Sequence, residues 1–104
     1  MTTNPVKRGL PPMHPGELLR EDVLPALGRS KVEIARLLGI SRQTLYDILA
    51  EKQPVTPGMA LRLGKLVGNG PTLWLNLQRR HDLWQAEREL KSEIEAMPTL
   101  AAIE

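Results

Sequence analysis

The chain holds 104 residues, with fourteen Lys and Arg against twelve Asp and Glu, a formal net charge of +2 and no cysteine. That length fits one domain able to bury a modest core unaided, and the lack of cysteine excludes disulfides and thiolate metal sites. Residues 1–14, MTTNPVKRGLPPMH, hold no apolar run of the signal-peptide kind, and no stretch approaches the ~18 apolar residues of a membrane span, so a soluble, cytoplasmic protein with no membrane partner is expected.

Residues 1–12, with Pro5, Gly9, Pro11 and Pro12, read as a flexible arm without a packed face. A first helix begins at Pro15, because proline suits the first helical position. Leu18, Leu19, Val23 and Leu24 are its apolar positions, and Pro25 and Gly28 end it. Ser30 opens the second helix with a capping box closed by Glu33. Ile34, Ala35, Leu37 and Leu38 form its apolar stripe, and Gly39 stops it in a left-handed conformation. Ser41 caps a third helix two residues later, with Leu45, Ile48 and Leu49 facing inward. The fourth starts after Thr56, with Pro57 first and Met59, Leu63, Leu66 and Val67 toward the core, and Gly68-Asn69-Gly70 breaks it. A fifth helix runs from Pro71 to about Met97. Its first turns are apolar (Leu73, Trp74, Leu75, Leu77), then thin to the single line Leu83, Ala86, Leu90, Ile94 and Met97. The domain is therefore expected over residues 13–97, with 98–104 as a tail. The fold class is all-α: five helices, the last extended beyond the bundle.

Ala35, Gly39 and Leu45 carry the organisation. A small residue at 35 lets a second helix pass close, glycine at 39 permits a tight turn, and Leu45 pins the following helix to the core. That is the spacing of a helix-turn-helix. Arg42, Gln43, Thr44, Tyr46 and Asp47 then point away from the core. Glutamine can pair with adenine and arginine with guanine through two hydrogen bonds, each worth ~1–3 kcal/mol of discrimination. Thr44 can donate to a phosphate or touch a thymine methyl, Ser41 leaves helix N–H groups facing a phosphate, and Lys31 and Lys52 flank the helix as backbone contacts. Charge agrees: residues 29–65 hold seven bases against three acids, a balance of +4, whereas residues 79–104 hold four bases against six acids, a balance of −2. A basic middle beside an acidic end suggests two kinds of partner. A single reading unit makes few contacts, and repressors of this type bind as dimers on half-sites ~34 Å apart. Trp74 is expected in the core of the monomer. Trp84, with Leu83, Leu90 and Ile94, is the candidate dimer surface.

The segments Met13-His14-Pro15-Gly16-Glu17, Gly39-Ile40-Ser41-Arg42, Met59-Ala60-Leu61-Arg62-Leu63, Trp74-Leu75-Asn76-Leu77-Gln78 and Asp82-Leu83-Trp84 together resemble the HigA-type antitoxins, a branch of the lambda-repressor-like (XRE) helix-turn-helix proteins. The resemblance covers about residues 13–90, and the MHPGE start combined with WLNLQ and DLW is its specific part. It implies a five-helix domain that dimerises on a palindromic operator and represses its own operon in the bacterial nucleoid. It also implies a HigB partner, a RelE-like toxin that cuts translated mRNA and is blocked by binding. The family's DNA-facing positions fall on Lys31, Ser41, Arg42, Gln43, Thr44 and Asp47. One departure stands out: many relatives carry Asn-Gly-Lys after the recognition helix, where this chain has Ala50-Glu51-Lys52, and a left-handed cap without glycine is costly.

The rival readings are weaker on the residues. The two histidines, His14 and His81, are far apart in sequence, and His81-Asp82 has no further ligand pair to complete a metal centre. No glycine loop cradles a phosphate. No enzyme and no cofactor are expected. An adaptor role for the long fifth helix, and a stand-alone XRE-type repressor without a toxin, share parts of the pattern.

Overall fold

The computed structural model describes residues 11–100; the arm up to residue 10 and the last four residues of the tail lie outside the described part. Among the described residues every regular element is helical.

The first expected helix is one rod with a widened middle. α1 (Pro15–Leu18) runs through a π-helical turn (Leu19–Val23) into α2 (Leu24–Leu27). Pro25, expected to help end this helix, does not; Gly28, at φ 67°, ends it alone. A proline ring inside an α-helix strikes the carbonyl four residues back and leaves no N–H to bond it. Here the turn before Pro25 is opened by one residue, so that the Leu24 N–H reaches the Leu19 carbonyl, and the chain passes the proline without breaking.

α3 (Lys31–Leu38) and α4 (Arg42–Leu49) are the tight pair expected from Ala35 and Gly39. The Ser30 hydroxyl accepts the Glu33 N–H at 3.1 Å, while the Glu33 carboxylate turns instead to Arg29, at 2.6 Å. Leu37 leaves the predicted stripe: it is 44% exposed, whereas Ile34, Ala35 and Leu38 are buried. With 3.6 residues per turn, Leu37 lies roughly 100° round the helix from the centre of that buried arc.

α5 (Pro57–Val67) is capped by Thr56, whose hydroxyl accepts the Met59 N–H at 3.2 Å. The fifth expected helix is α6 (Thr72–Glu89) followed by α7 (Lys91–Ala96). The expected unbroken run to about Met97 is interrupted at Leu90, where φ −105° and ψ 14° depart from helical values.

The core is assembled from these elements around Leu19, Ile34, Leu45, Ile48, Leu63 and Trp74, each at most 1% exposed. Trp74 is buried outright, and its indole N–H donates to the Asn69 side chain at 3.1 Å. Pro12, expected in the arm without a packed face, is buried. Two backbone approaches are close enough to demand glycine. A Cβ on Gly16 would land on the carbonyl of Ile48 in α4, and one on Gly64 would land on the backbone of Gly70. The first of these sets α1 directly against the helix that carries the polar edge.

Candidate nucleic-acid interface

α4 is held at both ends. At its start, Gly39 adopts φ 74°, and its N–H and that of Ile40 bond back to the carbonyls of Arg36 and Ala35 at 3.1 and 3.0 Å. The Arg62 guanidinium, from α5, donates to the Leu38 carbonyl at 2.7 Å. Ser41 then caps α4 by accepting the Thr44 N–H at 3.0 Å and donates its own proton to the Thr44 hydroxyl at 2.9 Å. The Thr44 hydroxyl proton is thereby left to donate elsewhere.

The far end is closed at Ala50-Glu51-Lys52. Glu51 takes φ 62°, alone among the described non-glycine residues. Its N–H bonds the Ile48 carbonyl at 3.0 Å and the Lys52 N–H bonds the Asp47 carbonyl at 2.8 Å. The left-handed cap is therefore made without glycine. Arg20, in the π turn of the first rod, supports it: Nη1 donates to the Leu49 carbonyl at 2.6 Å and to the Glu51 carboxylate at 3.3 Å. Nothing local in the sequence marks Arg20 for this role, since its partners lie 29 and 31 residues away. A left-handed non-glycine residue costs about 1–2 kcal/mol, and an ion pair as exposed as Arg20–Glu51 returns little of that. Glu51→Gly is accordingly expected to raise stability by roughly 0.5–1 kcal/mol in urea denaturation, despite removing a charged partner of Arg20.

Between these two caps the polar edge is presented outward. Ser41, Arg42, Gln43 and Tyr46 are exposed, Thr44 and Asp47 half-buried, and Leu45, Ile48 and Leu49 form the buried side. Gln43 Nε2 donates to Asp47 Oδ1 at 2.8 Å. Lys31, at the first residue of α3, lines a shallow groove with Tyr46 and Arg20, and Arg29 joins Lys31 and Arg20 along an adjoining one. Arg20 and Arg29 are the basic residues here that sequence reasoning did not assign. Lys52 is not brought to the Lys31–Tyr46 groove. It lines a separate polar hollow with His14, Glu51, Gln78, His81 and Asp82.

That hollow joins the first helix, the loop after α4 and α6. Gln78 is buried, its Oε1 accepting the Val55 N–H at 2.7 Å and its Nε2 donating to Asp82 at 2.9 Å. His14 is the N-cap of α1, with Nδ1 accepting the Gly16 N–H at 2.8 Å. Its ring meets that of His81 edge-on, 4.8 Å between centroids. Burial lowers the His14 pKa below the usual 6.5, and the neighbouring His81 acts in the same direction, against the opposing pull of Glu51 and Asp82. A histidine whose folded pKa is lowered binds its proton more readily when unfolded, so the stability it supports is complete above about pH 6.5 and falls as pH drops below that value. Thermal melts from pH 7.5 to 5 are expected to show this loss. His14→Asn, which keeps an acceptor at the cap but does not titrate there, is expected to flatten it.

The candidate dimer residues run from the far end of α6 through Leu90 into α7. Leu83, Leu90 and Ile94 are 58, 45 and 56% exposed, large apolar side chains left on water. Trp84 is half-buried, with the Arg88 guanidinium 4.7 Å above its ring, and shares a groove with Ile94. Among the described residues no three His, Cys, Asp or Glu side chains gather as a metal site, and no helix is long and apolar enough to cross a membrane.

Residues 19–75, which span the whole α3–α4 pair together with Arg20 and Arg62, match the helix-turn-helix family. The chain belongs to that family. It is a family of DNA-binding regulators rather than enzymes. Virulence-associated protein I of Dichelobacter nodosus is 37% identical over 83% of this chain and 80% of its own length. Among solved structures, antitoxin GraA in complex with its operator superposes with a TM-score of 0.82 at 39% identity, covering 98% of this chain and all of that one. The Pseudomonas aeruginosa antitoxin HigA with the higBA promoter gives a TM-score of 0.80 at 33% identity, over 86% of this chain and 99% of its own. Antitoxins thus stand among its structural neighbours, as the MHPGE, WLNLQ and DLW segments suggested, and its fold is the lambda-repressor-like helical domain expected.

Proposed function

We propose that this helix-turn-helix regulator is an antitoxin that neutralises a RelE-like, HigB-type mRNA-cleaving toxin by stoichiometric binding and, as a homodimer, represses its own operon in the bacterial cytoplasm and nucleoid. The observation that carries the DNA half is the polar edge of α4, exposed between two fixed ends on a helix packed backbone-to-backbone against α1. In this reading Arg42 and Gln43 meet base edges in the major groove. Lys31, Ser41 and Thr44 hold phosphates, with Tyr46 beside Lys31, and Lys52 meets the DNA backbone further out. The operator-bound GraA and promoter-bound HigA, similar along most of the chain, support it. The exposed Leu83, Leu90 and Ile94, with Trp84, form the surface we assign to the second copy, which sets half-sites about one helical turn, ~34 Å, apart.

The toxin half rests on similarity to antitoxins and is tested by partner capture. A pull-down of the tagged chain from its native cell should retain the protein encoded next to it. Mixing the two purified proteins should suppress RNA cleavage at about equal amounts. Suppression by trace amounts would point to catalysis instead. Specific capture of DNA with no toxin would make the chain a stand-alone repressor.

A further inference from the structure

The side-chain amide of Gln43 has two chemically different ends, and α4 fixes which of them faces inward. Nε2 donates to Asp47, one turn further along the helix, at 2.8 Å. A carboxylate only accepts hydrogen bonds, so the nitrogen must be the end that faces it. The amide oxygen carries no hydrogen bond among the described residues and is left, with the second N–H, for a partner outside. Gln43 is exposed and Asp47 half-buried, so the amide remains open to a partner outside while its nitrogen is engaged.

We propose that Asp47 is a positioning residue that locks the Gln43 amide in one orientation and thereby makes this position prefer adenine over guanine. The proposal rests on the reading of α4 as the DNA-reading helix. Adenine offers N7 as an acceptor and N6 as a donor in the major groove, which matches one N–H and one oxygen side by side. Guanine offers two acceptors, N7 and O6, and O6 would oppose the Gln43 oxygen. An amide free to turn over could bring its nitrogen to guanine instead. The carboxylate prevents that rotation, because it would then face the amide oxygen.

The experiment selects a preferred sequence from a random duplex pool with the wild-type chain, then measures binding to every single-base variant of that sequence. Wild type is expected to disfavour the A-to-G change about tenfold or more at one position of each half-site. Asp47→Asn keeps the size of the side chain but can face Gln43 with either end. It is expected to shrink that penalty to about threefold or less, with the other positions unchanged and the melting temperature retained. Gln43→Ala should abolish the preference at the same position, and Asp47→Asn should then add nothing there. The proposal is overturned if Asp47→Asn leaves the pattern as it was, weakens binding to all sequences alike, or alters a different position, as it would if Asp47 itself contacted a base. A wild-type chain that selects no sequence at all removes the DNA reading beneath it, a result distinct from any of these.

Discussion

Gly16→Ala is expected to lose about 3 kcal/mol of stability, against the sign that helix propensity predicts. On an open helix the change would gain up to ~1 kcal/mol. Here the added methyl falls on the backbone carbonyl of Ile48, and a main-chain atom has no rotamer through which to yield. Inserting volume into a packed contact costs ~1–3 kcal/mol, more where the backbone itself must move. A domain of this size has ~5–15 kcal/mol in all, so the melting temperature should fall by more than about 10 °C. The displaced partner is α4, so affinity for DNA should fall with it. Gly58→Ala is the control. Its Cβ would meet only the Thr56 hydroxyl at 4.0 Å, and stability should hold or rise slightly.

Trp74→Ala is expected to cost about 3–5 kcal/mol, enough to leave much of the chain unfolded near body temperature. Trp74 is the largest fully buried side chain, seated where α6 meets the α5 end of the core, and its removal leaves a cavity that backbone packing cannot close. It also strips the Asn69 oxygen of its donor. Trp74→Phe keeps most of the volume and should lose less. Urea denaturation followed by far-UV circular dichroism separates the two. The same substitutions at Trp84, half-buried under Arg88, should leave the monomer's stability nearly unchanged.

What was legible in the sequence was what is decided within a few residues. Ser30, Ser41 and Thr56 each bond an N–H three positions on, and Gly39 takes the left-handed conformation that its place between two apolar stripes requires. Those local decisions define α3 and α4, and with them the exposed edge. What was not legible depends on partners brought in from afar. Arg20 supports the end of α4 from the first rod, and Gln78 holds the loop after α4 through the Val55 N–H. Neither pairing leaves a periodic trace. Pro25 was misread for a related reason: the rule that proline ends a helix assumes regular α geometry upstream, and the π turn removes that assumption. The break at Leu90 lies where the helix has left the bundle, so the apolar period continues although the backbone does not. At Glu51 the sequence identified the difficulty, a left-handed cap without glycine, and the structure shows the non-glycine residue adopting it with Arg20 at hand.

The most direct test of the DNA reading is the affinity of the purified chain for the DNA upstream of its own gene, titrated against salt beside an unrelated duplex of equal length. A reader that sets the α4 edge in the groove and neutralises several phosphates should bind the upstream DNA far more tightly, protect two half-sites about 34 Å apart, and weaken steeply as salt rises. Equal binding to both duplexes, or none to either in dilute buffer, would contradict it.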